Sequence, residues 1–339
     1  MDIFGSIFGF FGSLFGYVLK FFFDIFMNYG VAIFFFTVFV KLVLLPFSIT
    51  QQKTQAKNAR LSGKLKEIRD KYATDRQKQN EETQKLYSKE GVNPASGCLT
   101  SLIQFPILLG LYYAVIRPLS NVLHLGDELV TRAVETLKTI PGFLTHSTYP
   151  ELDVLKYFEP LKGILDLNPA QTDVISKYSG GFSFLGLDLF GKPEFTNILI
   201  VIPILCFITS AGSTLLMQRM NGNMQQPGGG KLMMIGLSVF SAYIAFTVPA
   251  AVGLYWIFSN LIGLAQTFLL NRFYGPNTLN AKTEAQRLAL RDIEEAKILS
   301  AAGYPEPVFI PLGTGDVFTA RNSAQQKEWK QQPKKKKRK

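Results

Sequence analysis

The residue whose type and position most suggest chemistry is Lys41, a lysine within a long apolar run. The run covers residues 29–48, and twenty residues of α-helix span about 30 Å, the thickness of the hydrocarbon core of a bilayer. A cation at that depth costs roughly 2.5 to 3.5 kcal/mol, so its presence needs an explanation. Two interpretations stay open: the four-carbon stem carries the ammonium to the nearer interface, or Lys41 faces a wet cavity between helices.

Side chains that could act as nucleophiles or metal ligands are sparse. The two cysteines, Cys98 and Cys206, lie in or beside apolar runs, which gives no support to a disulfide, a thiol nucleophile or a cysteine metal site. The two histidines, His124 and His146, are too few for a zinc site on their own. The sequence therefore predicts no catalytic residue, no metal site and no cofactor, and we do not expect an enzyme.

The composition is that of a membrane protein. Of the 339 residues, 47% are hydrophobic and 29 are phenylalanine. The formal net charge of +11 would suit a nucleic-acid-binding protein, but in a membrane protein excess Lys and Arg usually marks cytoplasmic loops and sites near anionic lipid. We therefore interpret the charge by its position along the chain.

Hydropathy predicts five membrane-spanning helices with polar segments between them. The predicted spans are residues 29–48, 98–122, 197–217, 232–248 and 249–273. The polar segments are a charged helical hairpin at 49–97 with its second helix over 76–89, a helical cap at 123–196, a loop at 218–231, and a basic tail at 274–339 with a helix over 283–301. Residues 1–28 predict an aromatic helix in the membrane interface, with a further full span as the alternative.

Basic residues predict the orientation. The hairpin, the 218–231 loop and the tail hold about 27 of the 36 Lys and Arg, and five spans place all three segments on one side. The positive-inside rule makes that side cytoplasmic. We therefore expect the N-terminus and the cap outside and the C-terminus in the cytoplasm.

Polar residues of the predicted spans lie mostly in their cytoplasmic halves. With the charge of Lys41, the candidate lining of a groove comprises Thr37, Ser101, Gln104, Ser210, Ser213, Ser238, Ser241, Ser259 and Asn260. Any single Ser or Thr in a membrane helix is commonly a packing contact or bonds to its own backbone. Their shared depth nevertheless predicts a pocket that admits water from the cytoplasm and stops partway through the membrane.

Such a pocket suits the insertion of proteins into a membrane. A polar or acidic segment of a client chain has to cross about 30 Å of hydrocarbon, and a half-depth groove with one fixed positive charge shortens that path. The alternative is a small-solute channel or transporter, which would need polar residues at both depths or acids within the membrane. Since no predicted span contains Asp or Glu, the acidic relay of a proton- or sodium-coupled transporter is missing.

Four segments of the sequence resemble the YidC/Oxa1/Alb3 family of membrane protein insertases. They are TVFVKLVLLPFSITQQKTQAK, YSKEGVNPASGCLTSLIQFPILLGLYYAV, FSFLGLDLFGKPEF and VPAAVGLYWIFSN, in this order along the chain. The resemblance implies an all-α membrane protein, a five-transmembrane-helix bundle with a cytoplasmic helical hairpin and an inner-leaflet hydrophilic groove. It also implies an insertase and chaperone of the bacterial plasma membrane that works alone or with the Sec translocon.

The resemblance also assigns roles to individual residues. The groove charge of the family is usually an arginine and falls here on Lys41, with Thr37 matching one turn earlier. The positions that line the client path match Phe105, Leu108, Pro249, Tyr255 and Trp256. A lysine keeps the charge but lacks the planar five-donor fork of arginine. The implied partners are nascent membrane-protein clients, the ribosome, the Sec translocon and anionic lipids, and the KKKKRK tail suits RNA phosphates or lipid headgroups.

Overall fold

The structure is a computed structural model, and it describes residues 3–91, 104–139, 148–165, 167–220 and 229–301. The predictions for Ser101 and for the KKKKRK tail lie outside these residues, and so do the side chains of Gln104 and Phe105. The described part is almost entirely helical, which confirms the prediction of an all-α membrane protein.

The elements follow one another in this order: α1 (Ile3–Phe26), α2 (Tyr29–Val43), α3 (Leu45–Lys71), α4 (Arg76–Lys89), α5 (Gln104–Ile116), α6 (Pro118–Asn121), α7 (Asp127–Lys138), α8 (Pro150–Lys156), α9 (Phe158–Leu161), α10 (Pro169–Gly180), β1 (Ser183–Phe184), β2 (Leu187–Asp188), a 3-10 helix (Ile198–Ile200), α11 (Val201–Met220), α12 (Gly229–Thr247), α13 (Ala250–Tyr274) and α14 (Pro276–Ala301). The two strands form one short antiparallel hairpin.

Among the described residues, three helical segments are long and apolar enough to cross a membrane. They are Gly9–Phe26 within α1, Ile198–Met220, and the run Ala250–Ile298 that includes α13. A fourth is counted when α2 and α3 are taken as one bent span. The apolar parts of α5 and α12, Pro106–Ile116 and Ile235–Thr247, are shorter. The count of five spans stays a prediction.

The predicted first span is broken near its cytoplasmic end. α2 ends at Val43, and α3 begins at Leu45 and leaves at 64° to it. The cause is Pro46, which has no N–H to continue the helical ladder and whose ring clashes with the carbonyl four residues earlier, but which is well tolerated in a first turn. The predicted boundary at Ser48 is therefore corrected to Val43, and Lys41 lies in the last turn of α2.

α1 crosses α2 and packs against the bundle. Only Met27 and Asn28 separate the two helices, and rings from well-separated turns of α1 meet adjacent rings of α2: Phe26 stacks on Phe35 at 4.5 Å between centroids, and Phe15 meets Phe36 edge-on at 5.5 Å. α1 also packs against α5, where Phe11 and Phe15 lie over Gly110. Its 24 residues measure about 36 Å. Closer to its middle, α1 lies against the Asn121 carbonyl at Gly16, and Tyr17 stacks on His124 at 3.7 Å, so this part of α1 lies beside the cap. This packing fits the predicted interfacial helix, and the further span stays the alternative.

A short segment of the cap, residues 181–191, closes the outer ends of two membrane helices, and we call it the outer clamp. The first N–H groups of a helix have no partner within it, and an unsatisfied group is expensive in lipid. The clamp supplies carbonyls: Gly181 O accepts from Tyr29 N–H of α2 at 2.8 Å, and Gly191 O accepts from Ala250 N–H of α13 at 2.9 Å. The clamp therefore ties α2 to α13.

The cap itself is anchored to the outer end of α5 through α6. Ser120 of α6 donates to the Glu151 carboxylate of α8 from its N–H at 2.9 Å and from its hydroxyl at 2.8 Å. Burial raises the pKa of the Glu151 carboxyl, and the two Ser120 hydrogen bonds oppose that rise. Aromatic stacking continues the anchor, with Tyr29 on Phe182 at 4.1 Å and Phe182 on Phe190 at 4.0 Å.

The charged hairpin has the predicted second helix and an unpredicted neighbour. α4 covers 76–89 as predicted, and Asp75 caps it by accepting from Lys78 N–H at 2.9 Å. Lys64 of α3 pairs with Glu90 at 2.7 Å, and this hydrogen bond lowers the pKa of Glu90. The helix predicted over 283–301 begins earlier, at Pro276, and packs on α3. The hairpin and the start of the tail therefore form one layer.

Candidate functional site

A cavity of about 390 Å³ lies around Lys41, and we call it the Lys41 cavity. α2, α3, α5, α11, α12 and α13 all contribute to its walls. The residues that were predicted for the groove or the client path and that line it are Lys41, Leu108, Ser210, Ser213, Ser241, Tyr255, Trp256, Ser259 and Asn260. The structure thus brings together predicted residues from five helices, α2, α5, α11, α12 and α13.

Lys41 presents its ammonium to this cavity without a countercharge. The Nζ atom lies 3.5 Å from the point that a Cβ on Gly263 of α13 would occupy, so the charge rests over a glycine. Within the described ranges, the Lys41 side chain has no hydrogen-bond acceptor and no ion-pair partner. A half-buried, unpaired cation is available to an incoming anion.

The break after α2 shapes the cavity next to Lys41. A helix end leaves carbonyl groups without partners, and those groups need other donors inside a membrane. Gln266 of α13 lies with its Nε2 atom 3.5 Å from the Lys41 carbonyl oxygen, and the Ser48 hydroxyl donates to the Leu44 carbonyl at 3.1 Å. Both residues also line the cavity, so the side chains that contact the carbonyls at the break also make this part of the cavity wall polar.

The far wall is held together by polar contacts between helices. Asn260 of α13 donates to the Thr209 hydroxyl of α11 at 3.2 Å, and the Ser213 hydroxyl donates to the Asn260 carbonyl at 3.4 Å. Ser210 donates to the Ser238 hydroxyl of α12 at 3.5 Å. Asn260, Ser213 and Ser210 thus both line the cavity and help to fix its shape, which matches the usual packing role of small polar residues in membrane helices.

Three predicted residues lie outside the lining. Thr37 is fully buried and donates to the Ile33 carbonyl of its own helix at 2.6 Å, because the helices close over α2 one turn beyond Lys41. Ser238 is buried behind Ser210. Pro249 precedes the outer end of α13, away from the cytoplasmic half where the cavity lies. None of the three lines the Lys41 cavity, and the place of Pro249 on a client path stays a prediction.

Glutamines on α3 are lining residues that the prediction missed. Gln51, Gln52 and Gln55 all border the cavity, and Gln52 donates to the Asn271 side chain of α13 at 3.2 Å. The sequence analysis placed them in the hairpin beyond the membrane. Their spacing of one, three and four residues puts carboxamides on one helical face, and that signal was present in the sequence.

Toward the outside, tight packing ends the cavity. Phe36 and Tyr255 are buried with their rings 6.2 Å apart, and Cys206 of α11 donates its thiol to the Gly253 carbonyl of α13 at 3.3 Å. A Cβ on Gly253 would lie 2.4 Å from Ile202, so α11 and α13 approach as closely as their backbones allow. The wet space therefore stops at mid-depth.

Metal chemistry has no cluster to support it in the part of the chain that the structure describes. His, Cys, Asp and Glu form no group of three or more there that could hold a metal ion.

These features define a helical membrane protein with a polar cavity around Lys41, whose ammonium has no partner among the described residues. Residues 21–277, more than half of the chain, match the family model described as 60Kd inner membrane protein, and the chain belongs to that family.

Relatives in bacteria and plants agree with this assignment. Membrane protein insertase YidC 2 of Listeria innocua is 28% identical over 291 residues, which cover 84% of this chain and 77% of that protein. Membrane protein insertase MisCA of Bacillus subtilis is 28% identical over 247 residues, 72% of this chain and 70% of that one. ALBINO3-like protein 1, chloroplastic, of Arabidopsis thaliana is 29% identical over 253 residues, 73% and 44% of the two chains. The resemblance to the YidC/Oxa1/Alb3 family is confirmed, and the chain is a multi-pass bacterial membrane protein.

Proposed function

We propose that this chain is a membrane protein insertase and chaperone that receives client segments in the Lys41 cavity. The observation that carries the proposal is the unpaired ammonium of Lys41 in a polar cavity that is closed toward the outside. The insertases among its relatives support the same activity. We propose that it acts alone or together with the Sec translocon.

The cavity lowers the barrier for a charged client segment by electrostatics and wetting. Placing one carboxylate at the centre of a membrane costs roughly 2.5 to 3.5 kcal/mol. A carboxylate about 4 Å from an ammonium gains about 4 kcal/mol at an effective dielectric constant of about 20. One transient ion pair with Lys41 therefore offsets about one client charge. Lys41 forms no covalent bond in this mechanism, and the proposed activity is not enzymatic.

Hydrophobic client segments leave the cavity sideways into lipid. Leu108 of α5 and Trp256 of α13 both line the cavity and are partly exposed, so they border the space between α5 and α13. Apolar side chains at this border match the surface of a departing transmembrane segment while the polar wall retains its water. We propose that Leu108, Tyr255 and Trp256 lie on the client path, together with Phe105.

The orientation and the remaining partners are part of the proposal. The basic hairpin and tail favour a cytoplasmic mouth of the cavity, and KKKKRK suits ribosomal RNA phosphates or anionic lipid headgroups. The prediction of an outer N-terminus assumed an interfacial α1. Because Tyr17 of α1 stacks on His124 beside the cap, we propose that the N-terminus lies outside, as predicted, and the C-terminus in the cytoplasm.

Replacement of Lys41 tests the mechanism. In reconstituted vesicles we expect Lys41→Arg to insert a client with an acidic translocated tail as well as the unchanged protein does, because the charge is kept. Lys41→Ala should reduce insertion roughly tenfold, the effect of about 1.4 kcal/mol, and Lys41→Glu should reduce it further. The exposed Lys57 of α3 gives the matched control, since Lys57→Glu makes the same charge change outside the cavity.

Two results would contradict the proposal. If Lys41→Glu inserts the acidic client as well as Lys41 does, the electrostatic mechanism is wrong. The packed outer half of the cavity argues against a channel or transporter. If the purified protein nevertheless passes small solutes across sealed vesicles, that alternative is supported.

A further inference from the structure

The tip of the β1–β2 hairpin, within the outer clamp, places an apolar side chain where the backbone disfavours one. Leu185 and Gly186 form the two-residue turn, with φ angles of +51° and +77°. Turns with two left-handed residues favour Asn, Asp or Gly at the first position, and a bulky residue there is uncommon. The Leu185 side chain is also 86% exposed within the described chain. An apolar side chain facing water would add a second cost to the backbone strain.

The residue next to the tip lies against the outer halves of two membrane helices. The ring of Phe184 lies 2.3 Å from the point that a Cβ on Gly30 of α2 would occupy, so the ring contacts the helix backbone. It also meets Phe258 of α13 edge-on at 6.2 Å between centroids. Phe258 is eight residues beyond Ala250, about 12 Å along α13 from its outer end. The strand therefore enters the level of the spans.

The tip cannot move away from this level without breaking helix caps. The carbonyls of Gly181 and Gly191, on either side of the hairpin, accept from the first N–H groups of α2 and α13. The Asn28 side chain, the N-cap of α2, donates to the Ser183 carbonyl at 2.9 Å. The hairpin is fixed at the spans by both of its ends.

The surface next to the tip is the lipid-facing surface of α2. Phe34 contacts Phe258 edge-on at 5.4 Å, in the same aromatic group as Phe184, and its side chain is partly exposed. Further along α2, Phe39 and Leu42 are exposed as well. This band belongs to an apolar helix of a membrane protein, so acyl chains cover it. Leu185 continues the band at its outer end.

We propose that Leu185 inserts into the outer leaflet of the bilayer, so that the β1–β2 hairpin anchors the cap in lipid. Acyl chains remove the exposed apolar surface from water, and this gain explains why a strained leucine occupies the turn. The partner is the lipid itself, because a single side chain at the outer end of a lipid-facing band matches acyl chains and presents no charged group to a protein.

Fluorescence of a probe at position 185 tests the insertion. In the full chain with Cys98→Ser and Cys206→Ala, Leu185→Cys is labelled with an environment-sensitive fluorophore and reconstituted in liposomes. We expect blue-shifted emission, quenching by lipids that carry a nitroxide near the headgroup, and little quenching by aqueous iodide. Glu128→Cys on α7 is the control, because the Glu128 side chain is 88% exposed in a charged part of the cap. Iodide quenching at 185 equal to that at 128 would overturn the proposal.

A second variant separates insertion from turn geometry. Asn suits a left-handed backbone, so a leucine that serves only the turn would be improved by Leu185→Asn, with an unchanged or raised Tm. Lipid insertion gives the opposite result, a Tm in liposomes lowered by about 2 °C or more, because the polar side chain cannot replace leucine among acyl chains. An unchanged or raised Tm would overturn the proposal even if the labelled protein folds poorly.

Discussion

Lys41 and Gly263 face each other across the narrowest part of the cavity wall. The ammonium lies within van der Waals distance of the position that a side chain at residue 263 would occupy, so a residue introduced there can contact the charge directly. The cavity thus offers a way to neutralise Lys41 without replacing it. This matters because a substituted lysine loses its aliphatic stem as well as its charge.

We predict that Gly263→Asp reduces insertion of a client with an acidic tail roughly tenfold, an effect of about 1.4 kcal/mol. The new carboxylate would pair with Lys41 and compete with the client. Gly263→Asn has the same size and shape without the charge and should retain most of the activity. Insertion of the two variants is compared for an acidic and for an uncharged client. Equal losses of insertion in Gly263→Asp and Gly263→Asn would mean that the added volume at position 263 causes the loss, and that an ion pair with Lys41 does not.

At the scale of single residues, the sequence predicted how deep a side chain lies in the membrane better than it predicted which neighbours the side chain faces. Lys41, Ser213 and Asn260 line the cavity because membrane depth follows directly from position along an apolar run. Thr37 shares a helical face with Lys41, yet the neighbouring helices close over it, and no periodicity in a single helix reports where its neighbours lie. The residues of α3 were missed for a related reason, since the bend at Leu44 that turns them toward the cavity depends on tertiary contacts as well as on Pro46.

Among the elements, the outer clamp decides how α2 sits against α13. The clamp contacts the bundle through Phe184, whose ring fills the space beside Gly30. Since α2 carries Lys41 and α13 carries Gly263, the geometry of the cavity depends on a contact made at the opposite face of the membrane.

We predict that Gly30→Ala lowers the free energy of unfolding by about 1 to 3 kcal/mol, the usual cost of overpacking. The new methyl would lie 2.3 Å from Cγ of Phe184 and 2.6 Å from its Cβ. Phe184→Ala removes the ring atoms and leaves the Cβ, so the cost of Gly30→Ala should be smaller in that background without vanishing. Thermal unfolding of the two single variants and the double variant measures the coupling.

Gly9→Ala is the matched control, because a Cβ on Gly9 of α1 would meet nothing within 4 Å. It replaces a helical glycine without a clash and should be neutral or stabilising. Additive effects of Gly30→Ala and Phe184→Ala would mean that the two residues do not meet in the folded protein.

For the whole molecule, the path of α1 determines the topology. Hydropathy alone left two possibilities for this helix, because an aromatic, glycine-rich segment suits both an interface and a span. The contacts of Gly16 with Asn121 and of Tyr17 with His124, beside the cap, favour the interface, and those contacts connect positions that no local pattern links.

We predict that a cysteine in place of Asp2 reacts with a membrane-impermeant maleimide only from the outer side. In the variant with Cys98→Ser and Cys206→Ala, Lys57→Cys on α3 provides the cytoplasmic reference and Glu128→Cys on α7 the outer one. Labelling is measured in intact cells and in inverted vesicles. If the cysteine at position 2 is labelled only in inverted vesicles, as Lys57→Cys is, α1 spans the membrane.

The early end of α2 has a consequence for the bilayer itself. Its 15 residues measure about 22 Å, while an average hydrocarbon core is about 30 Å thick. A helix this short produces hydrophobic mismatch, which lipids relieve by compressing toward it. α3 turns away at 64° and becomes polar from Thr50 onward, so we expect headgroups and water to move inward along this side of the protein. We therefore expect the membrane next to Lys41 to be locally thinned, and a client that enters there to meet a weaker barrier even before it reaches the charge.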